Sequence, residues 1–171
     1  VGHMPKTLGF ADAAALPLTA ITAWELLFER LHIQEGQDDQ GQSLLIVGAA
    51  GGVGSILTQL ASQLTGLKVI GTASRAQTQE WVPSLGADLV IDHSRPLSDV
   101  LKAAGQPQVT HVASLTQTDQ HLDQLVEALA PQGKLALIDD PKALDVTKLK
   151  RKSLSLHWEF MYTRSLFETA D

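Results

Sequence analysis

The sequence predicts an α/β fold, a doubly wound parallel sheet of six strands in the order 3-2-1-4-5-6. Three observations carry that expectation. Five short apolar runs alternate with helical segments long enough to cross back over a sheet. The runs are apolar throughout rather than alternating, as strands covered on both faces are. Val53, Leu57, Leu60, Ala61 and Leu64 form one helical stripe, which packs the first crossover helix on the sheet.

Ahead of the sheet, Ala14, Leu18, Ile21, Leu26, Leu27 and Leu31 recur at near-helical spacing, and Pro17 is expected to break or kink the chain so that a helix starts near Thr19. The Gln/Asp/Gly stretch from Gln34 to Gln42 is polar and unpatterned and reads as a surface loop. Strands are expected at Leu44 to Gly48, Lys68 to Ala73, Asp88 to Asp92, Val109 to Leu115 and Lys134 to Asp139, with a sixth at Ser153 to His157. Between them lie helices at Val53 to Leu64, Gln77 to Leu85, Leu97 to Ala104 and Asp119 to Leu129, and a short one follows from Met161. Right-handed crossovers make such strands parallel. The ligand crevice of this strand order lies where strands 1 and 4 diverge.

The bulk composition narrows the function classes. A chain of 171 residues, 44% hydrophobic and 19% charged, suits one domain with a real core. A net charge of -6 opposes attraction to nucleic acid or anionic membranes, so any phosphate must be held by local geometry. With no cysteine, thiolate zinc sites, disulfides and a cysteine nucleophile are excluded, and a reducing, cytoplasmic compartment is the expectation. The most apolar stretch, Leu44 to Leu57, is too short to span a bilayer and carries glycines. The opening residues lack the basic start and apolar core of a secretory signal.

The informative segment is Leu44-Leu45-Ile46-Val47-Gly48-Ala49-Ala50-Gly51-Gly52-Val53-Gly54, a strand running into a glycine-rich turn that opens a helix. Bare backbone at Gly51 and Gly52 can approach a pyrophosphate closely, and the N–H groups and dipole of the helix start favour its charge. Gly54 lets helix and strand pack tightly. Against the dinucleotide pattern G-x-G-x-x-G the first glycine is replaced by Ala49. No Gly-Lys-Ser/Thr follows, so the lysine and metal-binding hydroxyl of a P-loop are missing.

The next discriminating position lies about 20 residues further on, where a carboxylate would bond the ribose 2′-hydroxyl of NAD. Here the chain reads Thr72-Ala73-Ser74-Arg75. A hydroxyl and a guanidinium can receive a 2′-phosphate that a carboxylate would repel, which favours NADP(H) over NAD(H). The competing reading makes Arg75 a solvated surface charge.

With these features the chain resembles the medium-chain dehydrogenase/reductase superfamily, in the branch of quinone oxidoreductase-like, zinc-binding alcohol dehydrogenase family proteins. The likeness is carried by Ala13-Ala14-Ala15-Leu16-Pro17-Leu18-Thr19, Ile21-Thr22-Ala23-Trp24-Glu25, the Ala-Gly-Gly-Val-Gly turn, Leu85-Gly86-Ala87-Asp88, Ala130-Pro131-Gln132-Gly133-Lys134 and the run from Lys152 to Phe160. The resemblance implies a Rossmann-type NAD(P)-binding domain over residues 1–171, excised from a longer chain with an N-terminal GroES-like domain. It implies hydride transfer to or from a small carbonyl, enone or quinone substrate, shaped by that other domain. The cofactor-binding set it implies is Thr22 near the nicotinamide, Ala50, Gly51, Gly52, Val53 and Gly54 at the pyrophosphate, Ser74 and Arg75 at the 2′-phosphate, His93 beside the adenosine, and Thr116, Ile138 and Asp139 around the ribose and nicotinamide. It also implies a homodimer through the strand near Ser153 to His157.

Other residues have plainer explanations. Six histidines are scattered without a paired motif, so no zinc site is expected in this segment. Asp139 and Asp140 point to opposite faces and suit a cap or turn better than a catalytic dyad. His121 is expected to face solvent, Trp24, Trp81 and Trp158 to pack in a core or interface, and Lys148, Lys150, Arg151 and Lys152 to form a solvated connection. No protein group is assigned as catalytic, because in a nicotinamide enzyme the reactive hydride belongs to the cofactor. A nonenzymatic NADP(H)-binding redox sensor stays open as the alternative. A methyltransferase with a similar sheet is weakened by the lack of an acidic residue beside the first glycines.

Overall fold

The computed structural model describes residues 3–36 and 41–169. Part of the loop expected between Gln34 and Gln42 lies outside the described residues, as do both chain ends. The strands are β1 (Ser43–Val47), β2 (Lys68–Thr72), β3 (Leu89–Ile91), β4 (Val109–Ser114), β5 (Leu129–Leu137) and β6 (Ser155–Trp158). They form one parallel sheet in the order β3-β2-β1-β4-β5-β6, as the alternation of apolar runs and helices predicts. The crossovers are α2 (Gly52–Leu64), α3 (Ala76–Ser84), α4 (Leu97–Ala103) and α5 (Thr118–Ala128), and α6 (Thr163–Phe167) follows β6.

Why the runs are apolar at every position is visible in β1. Leu44 and Ile46 project into a layer with Leu57 and Ala61 of α2 and Val82 of α3. Leu45 and Val47 project the other way, onto Leu97 and Leu101 of α4 and Leu122 and Leu125 of α5. Both faces of the sheet are therefore covered, and the ends of its strands are left to form sites.

The first helix departs from expectation. It starts at Phe10, not near Thr19, and α1 (Phe10–Trp24) continues through Pro17 without a break. The proline removes one N–H donor, but the helix is largely exposed between Phe10 and Leu18, so water can take the freed carbonyl. The chain then widens into a π-helical segment, Glu25–Arg30, whose wider bonding continues in the 3.0 Å bond from Leu31 N–H to Leu26 O. The rod Phe10–Arg30 is long and apolar enough to cross a membrane by length and composition alone. In this fold its Ala23, Leu26 and Leu27 are fully buried against the sheet.

Three further departures concern β5, the basic cluster and the tryptophans. β5 begins five residues early at Leu129, and its register against β4 shifts between Val109 and His111. The basic residues form a short 3-10 helix, Val146–Lys152. Its Lys152 is not simply solvated: the ammonium donates to the carbonyls of Val126, Glu127 and Leu129 and closes the C-terminus of α5, where the helix dipole favours a cation. None of the three tryptophans enters the core, with Trp24, Trp81 and Trp158 each 42–51% exposed. Trp81 lies at the surface, where its indole N–H donates to Ser55 Oγ at 3.0 Å.

Candidate functional site

The chain leaves β1 through Gly48, whose φ of +85° is a left-handed conformation that suits glycine. Thr72 Oγ1 at the end of β2 accepts the Gly48 N–H at 3.0 Å and so ties the turn to the neighbouring strand. Gly51 N–H donates back to Gly48 O at 3.0 Å and closes the bend. That amide is thus engaged within the protein. Gly52, Val53 and Gly54 open α2, and a helix start leaves their N–H groups without carbonyls one turn back. A Cβ on Gly54 would stand 2.3 Å from Gly48 O and 2.7 Å from Ala49 Cα, so only a glycine lets α2 seat this close to β1.

These amides face a cleft of 590 Å³ at the carboxyl ends of the strands, where β1 and β4 part. Its floor is the turn, with Ala50, Gly51, Gly52, Val53 and Gly54 in the lining. On the β2 side stand Ser74, Arg75 and Thr78, with His93 beyond β3. On the β4 side stand Leu115, Thr116 and Gln117, with Ile138 after β5. No Asp or Glu lines the cleft among the described residues. Arg75 makes no ion pair among them either, so its guanidinium is available to an anion.

A second cavity of 340 Å³ shares Val53 and Ile138 with the first and extends it toward α1 and the end of β6. Thr22 lines this one, buried, with its hydroxyl donating to Leu18 O at 2.8 Å and lying 3.3 Å from Met161 Sδ. The cavity wall is largely apolar, including Leu18, Trp158, Phe160 and Met161.

That wall also carries Glu159, which belongs to a cluster of buried charge. Glu159 is buried, and Arg30 Nε donates to its Oε2 at 2.8 Å. Glu25, also buried, faces Arg30 at 3.9 Å and Arg164 at 3.7 Å. Burial, with the Glu25 carboxyl adding to it and Arg30 opposing it, pushes the Glu159 pKa up to about 7. Burial lowers the His121 pKa, and its Nδ1, like that of His93, is buried with no hydrogen-bond partner among the described residues. His121 is therefore half-buried rather than solvent-facing.

The comparisons with known proteins follow the same outline. The model of the zinc-binding dehydrogenase family matches residues 52–171. The chain belongs to the zinc-binding dehydrogenase family. It is the cofactor-binding domain of that architecture, within the medium-chain dehydrogenase/reductase superfamily. A zinc-type alcohol dehydrogenase-like protein of Staphylococcus epidermidis is 40% identical over 173 residues, covering 100% of this chain and 51% of the relative. A structure from Rhizobium etli CFN 42, assigned as a zinc-dependent alcohol dehydrogenase, superposes with a TM-score of 0.94 at 53% identity, covering 99% of this chain and 50% of that one. The quinone oxidoreductase of Thermus thermophilus, solved also in complex with NADPH, gives 0.73 at 26% identity, covering 98% of this chain and 51% of that one. The chain spans about half the length of the curated relatives it matches.

Among the described residues no three His, Asp or Glu side chains gather in a group that could hold a metal ion. Of the site residues that the sequence suggests for this dehydrogenase domain, Ala50, Gly51, Gly52, Val53, Gly54, Ser74, Arg75, His93, Thr116 and Ile138 line the main cleft, and Thr22 lines its extension. Asp139 lines neither; its carboxylate turns away to Thr118. Gly48, Ala73, Thr78, Leu115 and Gln117 are additions. Thr78 sits three residues after Arg75 in the first turn of α3, a spacing that could have pointed to it. Gln117 owes its place to a left-handed backbone that no residue pattern announces.

Proposed function

We propose that this dehydrogenase chain holds NADP(H), in preference to NAD(H), for an oxidoreductase whose substrate is a small carbonyl, enone or quinone. The reading is carried by one arrangement: free amides of Gly52 to Gly54 at a helix start, in a cleft with an unpaired Arg75 and no carboxylate among the described residues. The amides and the α2 dipole bind the pyrophosphate. Ser74 and Arg75 take the 2′-phosphate, with Thr78 beside them, and His93 borders the adenosine. Thr116 and Ile138 border the far ribose, and Thr22 with Val53 and Ile138 encloses the ring that follows. The bound nicotinamide supplies or accepts the hydride, and the chain's own groups orient it and exclude water from one side. NADPH in the complex of the Thermus thermophilus relative supports the cofactor class.

Relatives twice as long support a further part of the reading, that a GroES-like domain precedes this one in the full protein and closes the cleft over the substrate. The second side of β6 is unpaired among the described residues and ends at an exposed Trp158, which suits a homodimer built by joining two sheets. Calorimetric titration tests the cofactor. NADPH should bind more tightly than NADH, and Arg75→Ala should weaken NADPH about 10- to 100-fold, as loss of a charge-assisted hydrogen bond does, while leaving NADH within about twofold. Equal affinities, insensitive to the substitution, would overturn the preference for NADP(H).

A further inference from the structure

Asp139 follows β5 immediately after the cleft residue Ile138, yet its carboxylate is spent elsewhere. Oδ2 accepts the Thr118 backbone N–H at 2.9 Å, and Oδ1 accepts the Thr118 hydroxyl in a short bond. Thr118 is fully buried, and its Oγ1 lies 2.8 Å from Ser114 Oγ. Thr118 is the first residue of α5, so its N–H is one of the donors that a helix start leaves open. A side chain at the residue before a helix bonds the N–H of the second or third helical residue, so the N–H of the first, here Thr118, must find its acceptor elsewhere. Here the preceding residue, Gln117, provides no side-chain cap and has φ +53° and ψ +37°, a left-handed backbone that costs a non-glycine residue energy. That acceptor is Asp139, just beyond the end of β5 and 21 residues away in sequence.

This bracing has a definite client. The segment between β4 and α5 is Leu115, Thr116 and Gln117, and all three line the cleft. The segment also lies against the phosphate turn, since a Cβ on Gly48 would stand 3.2 Å from Thr116 Cγ2. The sheet order separates the two ends of the cleft: Ser74, Arg75 and His93 lie on the β2 and β3 side of the turn, and residues 115–117 lie on the β4 side. A dinucleotide with its pyrophosphate at the turn and its 2′-phosphate at Arg75 must therefore lay its nicotinamide half over residues 115–117.

We infer that Asp139 is a positioning residue: through Thr118 it fixes the left-handed Gln117 and so sets the wall that grips the nicotinamide half of the cofactor, without touching the cofactor itself. The inference rests on the cofactor reading above. Releasing the cap frees residues 115–117 and leaves the adenosine end as it was.

The test compares a whole ligand with half of one. Affinities for NADPH and for adenosine 2′,5′-bisphosphate are measured by calorimetry on wild type, Asp139→Ala and Asp139→Asn. Asp139→Ala should weaken NADPH about tenfold, the loss of one or two net hydrogen bonds, and leave the bisphosphate within about twofold. Asp139→Asn, which still accepts from the Thr118 N–H, should fall between, and Thr118→Ser, which keeps the hydroxyl, should match wild type. Equal losses for both ligands, or no loss for either, would overturn the positioning role while leaving the cofactor reading intact. So would a failure of both Asp139 variants to fold, which would make the carboxylate a purely structural tie. Wild type binding neither ligand would instead overturn the cofactor reading.

Discussion

Gly54→Ala is expected to lower stability and abolish cofactor binding together. The added carbon would meet Gly48 O at 2.3 Å and the Ala49 Cα and carbonyl carbon at 2.7 and 2.8 Å. All three are backbone atoms, so no side chain can swing aside and the turn itself has to open. Overpacking of this kind costs up to about 3 kcal/mol, which for a domain of this length lowers Tm by roughly 6–12 °C. Opening the turn also moves the amides of Gly52 and Val53 away from their common focus, so NADPH affinity should fall at least about a hundredfold, by the loss of two or more charge-assisted bonds. A thermal melt and a titration on the same sample check both. A variant with wild-type Tm and wild-type affinity would show that α2 does not seat on β1 as described.

Arg30→Met is expected to destabilise the protein strongly at pH 8 and much less at pH 5. Arg30 supplies the 2.8 Å donor to the buried Glu159, whose folded pKa of about 7 lies above its ordinary value of 4.5. A carboxyl raised in this way favours the folded state fully below about pH 4.5, and that contribution is lost as pH rises through about 7. Wild-type stability should therefore fall between those limits, and Glu159→Gln should flatten the fall. Glu25, Glu29 and Arg30 from the π-helical segment and Arg164 from α6 are the charged groups of the cluster among the described residues, Glu29 pairing with Arg164 at 3.2 Å. Without Arg30 the Glu159 carboxylate is buried with no cation of its own. Breaking such a pair costs about 3 kcal/mol at pH 8, the low end of its usual range, because the carboxyl can take up a proton instead. At pH 5 Glu159 is already protonated, and the loss should be under about 1 kcal/mol, that of an ordinary hydrogen bond. Urea unfolding at the two pH values reads the difference; equal losses would mean that Glu159 is not the group that titrates. The functional consequence follows from position, since Glu159 sits between Trp158 and Met161 on the wall of the second cavity.

How much of this is legible in the sequence depends on the distance over which each feature is built. The sheet order and the β1 turn are written in contiguous residues: apolar runs are continuous because Leu44 to Val47 are covered from both sides, and Gly51 to Gly54 follow them directly. Arg75 is legible because the end of the second strand lies at a fixed interval from that turn. The partners of buried charge are not. Arg30 and Glu159 are 129 residues apart, and each looks in sequence like an ordinary surface charge on an amphipathic stretch. The family resemblance sets Asp139 beside the cofactor together with Ile138, but only Ile138 lines the cleft, because adjacent residues at a strand end point in opposite directions and the Asp139 side chain goes to Thr118. Lys152 looks solvated because a carbonyl row at the end of α5 has no residue signature. Pro17 is the simplest case: its missing N–H frees one carbonyl, and whether solvent reaches that carbonyl depends on the exposure of α1, which the residue type does not announce.

In the proposed mode of binding, the peptide N–H groups of Gly52, Val53 and Gly54 hold the cofactor's pyrophosphate. Recording amide resonances of nitrogen-15-labelled protein while NADPH is added tests this directly. Saturable shifts should be largest at those three glycine and valine amides, with smaller ones at Ser74 and Arg75. A saturating titration that leaves the three amides unmoved while others shift would contradict that placement of the pyrophosphate.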